Sequence, residues 1–330
     1  MQDTSTRRPG LLSRLLGGSA SPPEPVRTVG VALNAYGKLP IYKDFISAGL
    51  TEPGAREFRN WIDRGFSHRW SSDDALKETS IPRHLLLLRL PESGTFVTGC
   101  LWGSEDEGGL RRFPFTIFGS LPEGHAAAEP LTAAEHLDTL DRQADRIVSG
   151  FGPGGSLAQF YRTYRGAAVD LPARPPRRVT RETRADLERI PISTFAASLF
   201  GERSADAWPA LLARLRALAE GKGDETTGAV RLRLSGSLPR SRELQFWILF
   251  LAAANRRRPV TGMLFPADRS EARVTLFFRD LRAEDFLLLH PTRVDYPFAE
   301  DLSEVPAGPA APASAPSDGM NRPLSSLLES

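Results

Sequence analysis

Apolar residues change their spacing several times along this chain, and each change marks a new element. TVGVALNAYG (28–37) has the β-branched and small residues of a buried strand. From Pro53, a residue suited to a first helical turn, Phe58, Trp61, Ile62 and Phe66 recur at helical spacing. Arg56, Arg59, Asp63 and Arg64 fall on the opposite side, so an amphipathic helix with Trp61 in the core is expected. Three strands follow: HLLLLRL (84–90), TFVTGCLWG (95–103) and FPFTIFGSL (113–121). PESG joins the first two as a hairpin, and the longer, charged SEDEGGLRR joins the last two. Leu137, Leu140, Ala144, Ile147, Val148 and Phe151 then form one helical stripe. Hairpin-linked strands with a helix at either end predict an α+β fold, with a mostly antiparallel sheet.

The pattern lapses at DLPARPPRRVTRETR, whose prolines and arginines read as a linker. Beyond it, AWPALLARLRALAEG is a helix, and GAVRLRLS is a half-exposed strand with Val230, Leu232 and Leu234 on one face. RELQFWILFLAAANRR is a largely buried helix, PVTGMLFP and EARVTLFFRDL a strand pair, and AEDFLLL a short helix. The order echoes the first half. The expected organisation is a tail (1–27), a first domain (28–169), a linker (170–187), a smaller α+β domain (188–303) and a second tail (304–330). Within the first tail, GLLSRLLG has the alternative of a short helix docking in a groove.

Composition narrows the function classes. The chain has 330 residues, and 42 Lys plus Arg against 40 Asp plus Glu leave a formal charge of +2. Such a balance gives no general basic field for nucleic acid or anionic lipid. Cys100 stands alone, which excludes an intramolecular disulfide framework and fits a reducing compartment. No apolar run has the length of a membrane span.

Candidate chemistry is sparse. Gly37-Lys38 is followed by Leu39, with no glycine five residues before Gly37, so it is not a phosphate loop. His68, His84, His125, His136 and His290 lack metal-ligand spacing, and His136 is expected on a helix surface. Glu105, Asp106 and Glu107 read as a solvated acidic loop, and no cofactor or metal site is expected. Arg111 and Arg112 enter a strand at Phe113-Pro114, with Asp44 or the acidic run as alternative partners.

Two of these stretches together resemble a known family. Tyr36, Gly37, Lys38, Leu39 and Pro40, a three-residue spacer, then Asp44 and Phe45, with Gly49 and Leu50 beyond, resemble the signature of the TagF family of type VI secretion-associated proteins. Arg111, Arg112, Phe113 and Pro114 are similar to its second element, in which glycine precedes the arginines. Here Leu110 takes the glycine's place and Lys43 that of a small residue, and the family's acidic residue is either Asp106 or Glu107. The likeness is close over 28–165 and loose over 190–295, where Phe246 and Trp247 lie.

The resemblance implies a longin-like first domain in a cytoplasmic, non-enzymatic bacterial repressor of type VI secretion. It would act after translation by binding a secretion component, with a forkhead-associated scaffold protein as partner, and without nucleic acid or membrane insertion. A structural accessory subunit, or a hydrolase using Asp44 with Lys38, are the alternatives. The motif residues either recognise the partner or lock two loops together.

Overall fold

A computed structural model of the chain describes residues 27–67, 79–149, 154–219, 228–254, 260–268, 273–290, 299–302 and 319–329, with Phe151 and Tyr296. The expected first tail and the basic run at 255–259 lie outside them. Strands β1 (Thr28–Gly37), β2 (Ile46–Ala48), β3 (His84–Arg89), β4 (Thr95–Glu105) and β5 (Arg112–Pro122) belong to the first half. Helix α1 (Pro53–Gly65) interrupts them, and α2 (Pro130–Ala133), α3 (Leu137–Val148), α4 (Leu157–Tyr164) and β6 (Ala168–Pro172) follow. The second half holds α5 (Pro176–Leu187), α6 (Ile192–Phe200), α7 (Ser204–Ala219), β7 (Ala229–Arg233), α8 (Arg240–Ala254), β8 (Gly262–Pro266), β9 (Arg273–Phe277) and β10 (Ala299–Asp301). Three 3-10 segments complete it among the described residues, Gly201–Arg203, Ala283–Leu289 and Leu324–Leu328.

The fold is α+β, with one mostly antiparallel sheet ordered β10-β7-β9-β8-β3-β4-β5-β1-β2 and β6 alongside β1. Among the described strands only the β10–β7 pair is parallel. β3 and β8 join the two halves, Leu86 facing Leu264 in register. The strands of the two expected domains therefore form a single sheet. The central run HLLLLR has no polar alternation because both its faces are covered. Leu85 and Leu87 enter the core beneath α2 to α8, while Leu86 and Leu88 pack with α1 and the 3-10 segment Ala283–Leu289. Helices α1 and α8, equivalent in sequence order, thus lie on opposite faces, so the two halves are not one repeated unit.

The segment expected as a linker is β6 and α5. Pro176 occupies the first turn of α5, where its missing N–H costs nothing. Arg174 pairs with Glu135 and Glu182, and Arg242 from α8 reaches Glu135, Glu182 and Asp186. Residues 319–329 of the expected second tail are structured as well, with Leu324 and Leu328 buried. His136, expected on a surface, is fully buried, and Arg231 on the supposedly exposed face of β7 is buried beneath the Leu288 carbonyl it donates to at 2.8 Å.

Candidate functional site

The loop after β1 and the tip of the β4–β5 hairpin meet at one corner. Gly37 faces Phe115 across the β1–β5 ladder and has φ of 127°, left-handed territory that glycine alone enters freely. A Cβ there would collide with the Pro114 carbonyl oxygen, so the close approach itself requires glycine. Leu39 then drops into the core beside Ile41.

Lys38 turns inward. Its ammonium is 3.8 Å from the Asp106 carboxylate, 3.4 Å from the Lys43 carbonyl to which it donates, and 4.6 Å from the centre of the Phe45 ring. Burial, with Arg111 adding to it, pulls this ammonium below the usual lysine range against the pull of Asp106 and Asp44. The hairpin closes around the same carboxylate: Asp106 accepts the Leu110 and Arg111 amides at 3.1 and 3.3 Å and Arg111 Nε at 2.7 Å. These bonds, the Arg111 guanidinium first, hold the Asp106 carboxyl below the usual carboxylate range. The turn thus closes on Asp106, while Glu107 is exposed and donates its amide to the Tyr42 carbonyl at 3.2 Å.

Lys43 contributes its backbone. Its carbonyl accepts from both Lys38 and Arg111, so the residue type at this position does not decide the contact. Asp44 points outward and caps the Phe45 amide at 2.8 Å, and no arginine reaches it among the contacts described.

An aromatic cluster makes the wall. Phe45 stacks on Tyr36 at 5.7 Å and meets the edge of Phe113 at 4.8 Å, while Phe66 from the end of α1 adds a second edge contact to Phe113 at 4.9 Å. Tyr36 donates to Asp63 at 2.6 Å beneath the Arg59 guanidinium, and burial raises its phenol above the ordinary tyrosine range. Asp63, Arg59 and Phe66 therefore serve the corner, although their helical spacing marks them only as surface and core positions. Pro40, Arg112, Phe113 and Pro114 line a neighbouring hollow of about 420 Å³.

What remains outward is distinctive. Among the described residues only Phe45, Leu110 and Tyr161 are large apolar or aromatic side chains left exposed. Phe45 is 40% and Leu110 88% exposed, and the third, Tyr161, donates to the Ser47 carbonyl just beyond Phe45. Arg111, 58% exposed at its side chain, stands beside Leu110. The corner thus divides its residues. Gly37, Lys38, Asp106, Tyr36 and Phe113 lock it, and Phe45, Leu110 and Arg111 face solvent. No group of metal-ligating side chains exists among the described residues, and no helix among them is long and apolar enough to cross a membrane.

Residues 34–160 match the TagF N-terminal domain, described as type VI secretion system-associated. A solved structure, that of PA0076 from Pseudomonas aeruginosa PAO1, is similar at 22% identity with a TM-score of 0.33, covering 43% of this chain. The chain spans 64% of that protein's length. No curated protein matches the sequence.

Proposed function

We propose, from the match of residues 34–160 to the TagF N-terminal domain, that the chain is a type VI secretion-associated protein and a non-catalytic, post-translational repressor of the secretion system. It acts in the cytoplasm by binding a secretion component, with a forkhead-associated scaffold protein as the partner implied by the family likeness. The supporting observation is the concentration of exposed apolar side chains. Three large ones are exposed among the described residues; two stand on the family-motif corner and the third is tied to its edge. Apolar side chains ringed by polar ones mark protein-binding surfaces. A hydrolase built on Asp44 and Lys38 gains no support, because Lys38 is committed to Asp106 while Asp44 turns to solvent.

The test uses Leu110→Asp. The Leu110 side chain is exposed and its amide bond to Asp106 is kept in the variant, whereas charge reversal at Arg111 would also face Asp106 and lose two hydrogen bonds. The tagged chain and the variant, matched for melting temperature, are used to recover partners from the native cytoplasm. Recovery of a forkhead-associated secretion component by the wild type, at least tenfold above the variant, is expected. Equal recovery by both moves the interface off this corner, and recovery of no secretion component by either overturns the reading.

A further inference from the structure

The C-terminal residues return to the fold as a docked peptide. Beyond Leu302 the connecting stretch 303–318 is rich in proline and alanine, and the chain is described again from Gly319. There the Met320 and Arg322 carbonyls accept the Ser193 and Ile192 amides at 2.8 and 3.0 Å, and Leu324 donates its amide to Ile190 at 2.8 Å. Pro323 bridges Pro191 in antiparallel fashion. The chain then turns through Leu324–Leu328, which packs on α5 and α8. Leu324 and Leu328 are 0% and 6% exposed in the main core, Ser325 is buried between them, and Leu327 packs partly against the same surface. An extended stretch held by backbone bonds and two apolar anchors four residues apart is how grooves hold peptide ligands.

The chain spells this pattern twice. Leu324-Ser325-Ser326-Leu327-Leu328 is matched by Leu12-Ser13-Arg14-Leu15-Leu16, so both anchors, the small hydroxyl and the covering leucine fall in the same places. The single difference is Ser326 against Arg14. Ser326 is half-buried with its hydroxyl unpartnered, so replacing it forfeits no hydrogen bond, and a long arginine can lead its charge out to water.

The second copy is within reach. The Arg27 carbonyl accepts from Ala173 at 2.7 Å, just before α5 begins. The 12 residues of α5 cover about 18 Å at helical rise. Residues 17–26 span up to roughly 33 Å when extended.

We propose that the groove between α5, α6 and α8 is a peptide-binding site with two ligands in one chain, and that the N-terminal Leu12–Leu16 segment displaces the docked Leu324–Leu328 segment within the same molecule. Exchange between the two frees the C-terminal end together with its tether. It gives the protein a docked and a released state without rearranging the sheet.

Hydrogen exchange of the full chain at the Leu324 and Ile192 amides, which bond across the contact, tests this. Leu12→Asp with Leu16→Asp should slow exchange at the Leu324 amide at least threefold, whereas the Ile192 amide, which a carbonyl of either segment can accept, should change less. A synthetic peptide of residues 6–18 added to that variant should restore fast exchange saturably, and the same peptide carrying both aspartates should not. Unchanged exchange in the variant together with no response to the peptide overturns the proposal. An effect that grows with protein concentration overturns displacement within one molecule, because the segment then comes from a second copy.

Discussion

At the residue scale, the family resemblance marks side chains of the two loops but not which way they point, and the helical spacing of Arg59, Asp63 and Phe66 gives no sign that they join the corner. Tyr36 to Phe45 and Arg111 to Pro114 are recognisable as a pattern, yet the inward turn of Lys38 depends on Asp106, delivered by a hairpin more distant in sequence. The Lys43 contribution was illegible in principle, because a carbonyl is common to every residue type. Gly37 is the position where geometry leaves least choice. Gly37→Ala combines an unfavourable φ with a clash against Pro114, and should cost about 3 kcal/mol or more. Gly124 offers the contrast: its φ is 81° but nothing lies within 4 Å of an added Cβ, so Gly124→Ala should cost only ~1 kcal/mol. Urea unfolding of both variants measures the difference, and similar losses would contradict the close approach of β1 to β5.

At the element scale, α1 is legible by its helical apolar period, and strands β3, β4 and β5 and helix α8 as apolar runs of the right length between turn signals. Helix α5 is not, and the reason is chemical. Arg174, just before it, and Arg178 within it look solvated until Glu135 and Glu182 are placed around them, and its prolines sit at the helix start where they do no harm. The same network carries a prediction. Arg242 bonds to the Gln245 and Thr183 side chains at 2.7 and 3.3 Å and to Asp186 at 2.9 Å, behind a fully buried Gln245. Removing it as Arg242→Ala leaves Glu135 and Gln245 short of a donor, at a cost of about 2 kcal/mol. Brief trypsin digestion checks the consequence: the wild type should resist cleavage at Arg178 and the variant should be cut there severalfold faster. Early cleavage of the wild type at that site would restore the linker reading.

At the scale of the whole molecule, buried titratable groups set how stability responds to acid. His84 and His136 are held neutral by burial, their imidazoles pushed down to about 4. The unfolded chain takes up those protons from about 6.5 downward, so stability is full above that value and is lost as pH falls toward 4. Glu243 works in the opposite sense. Burial lifts its carboxyl to about 7, so the folded chain gains a proton first and stability rises as pH falls from 7 toward the ordinary carboxylate range. Two losses against one gain leave about one net proton between pH 6 and 5, a slope near 1.4 kcal/mol per pH unit. His136→Leu, which replaces a ring whose nitrogens have no hydrogen-bond partner, should flatten that slope, and Glu243→Gln should roughly double it. Denaturant unfolding at three pH values decides, and an unchanged slope in both variants would contradict the assignment. The joining of both halves into one sheet escaped the sequence because strand partners distant along the chain leave no local trace. That seam also has a history in time. Chains fold as they leave the ribosome, amino-terminal part first. β3 emerges early, but the strand that covers its free side is made only after α8 has been translated. Until then HLLLLR presents an edge of four successive leucines, of the kind that pairs with neighbours, so each nascent molecule passes through a sticky adolescence that chaperones, crowding and the pace of translation must see it through.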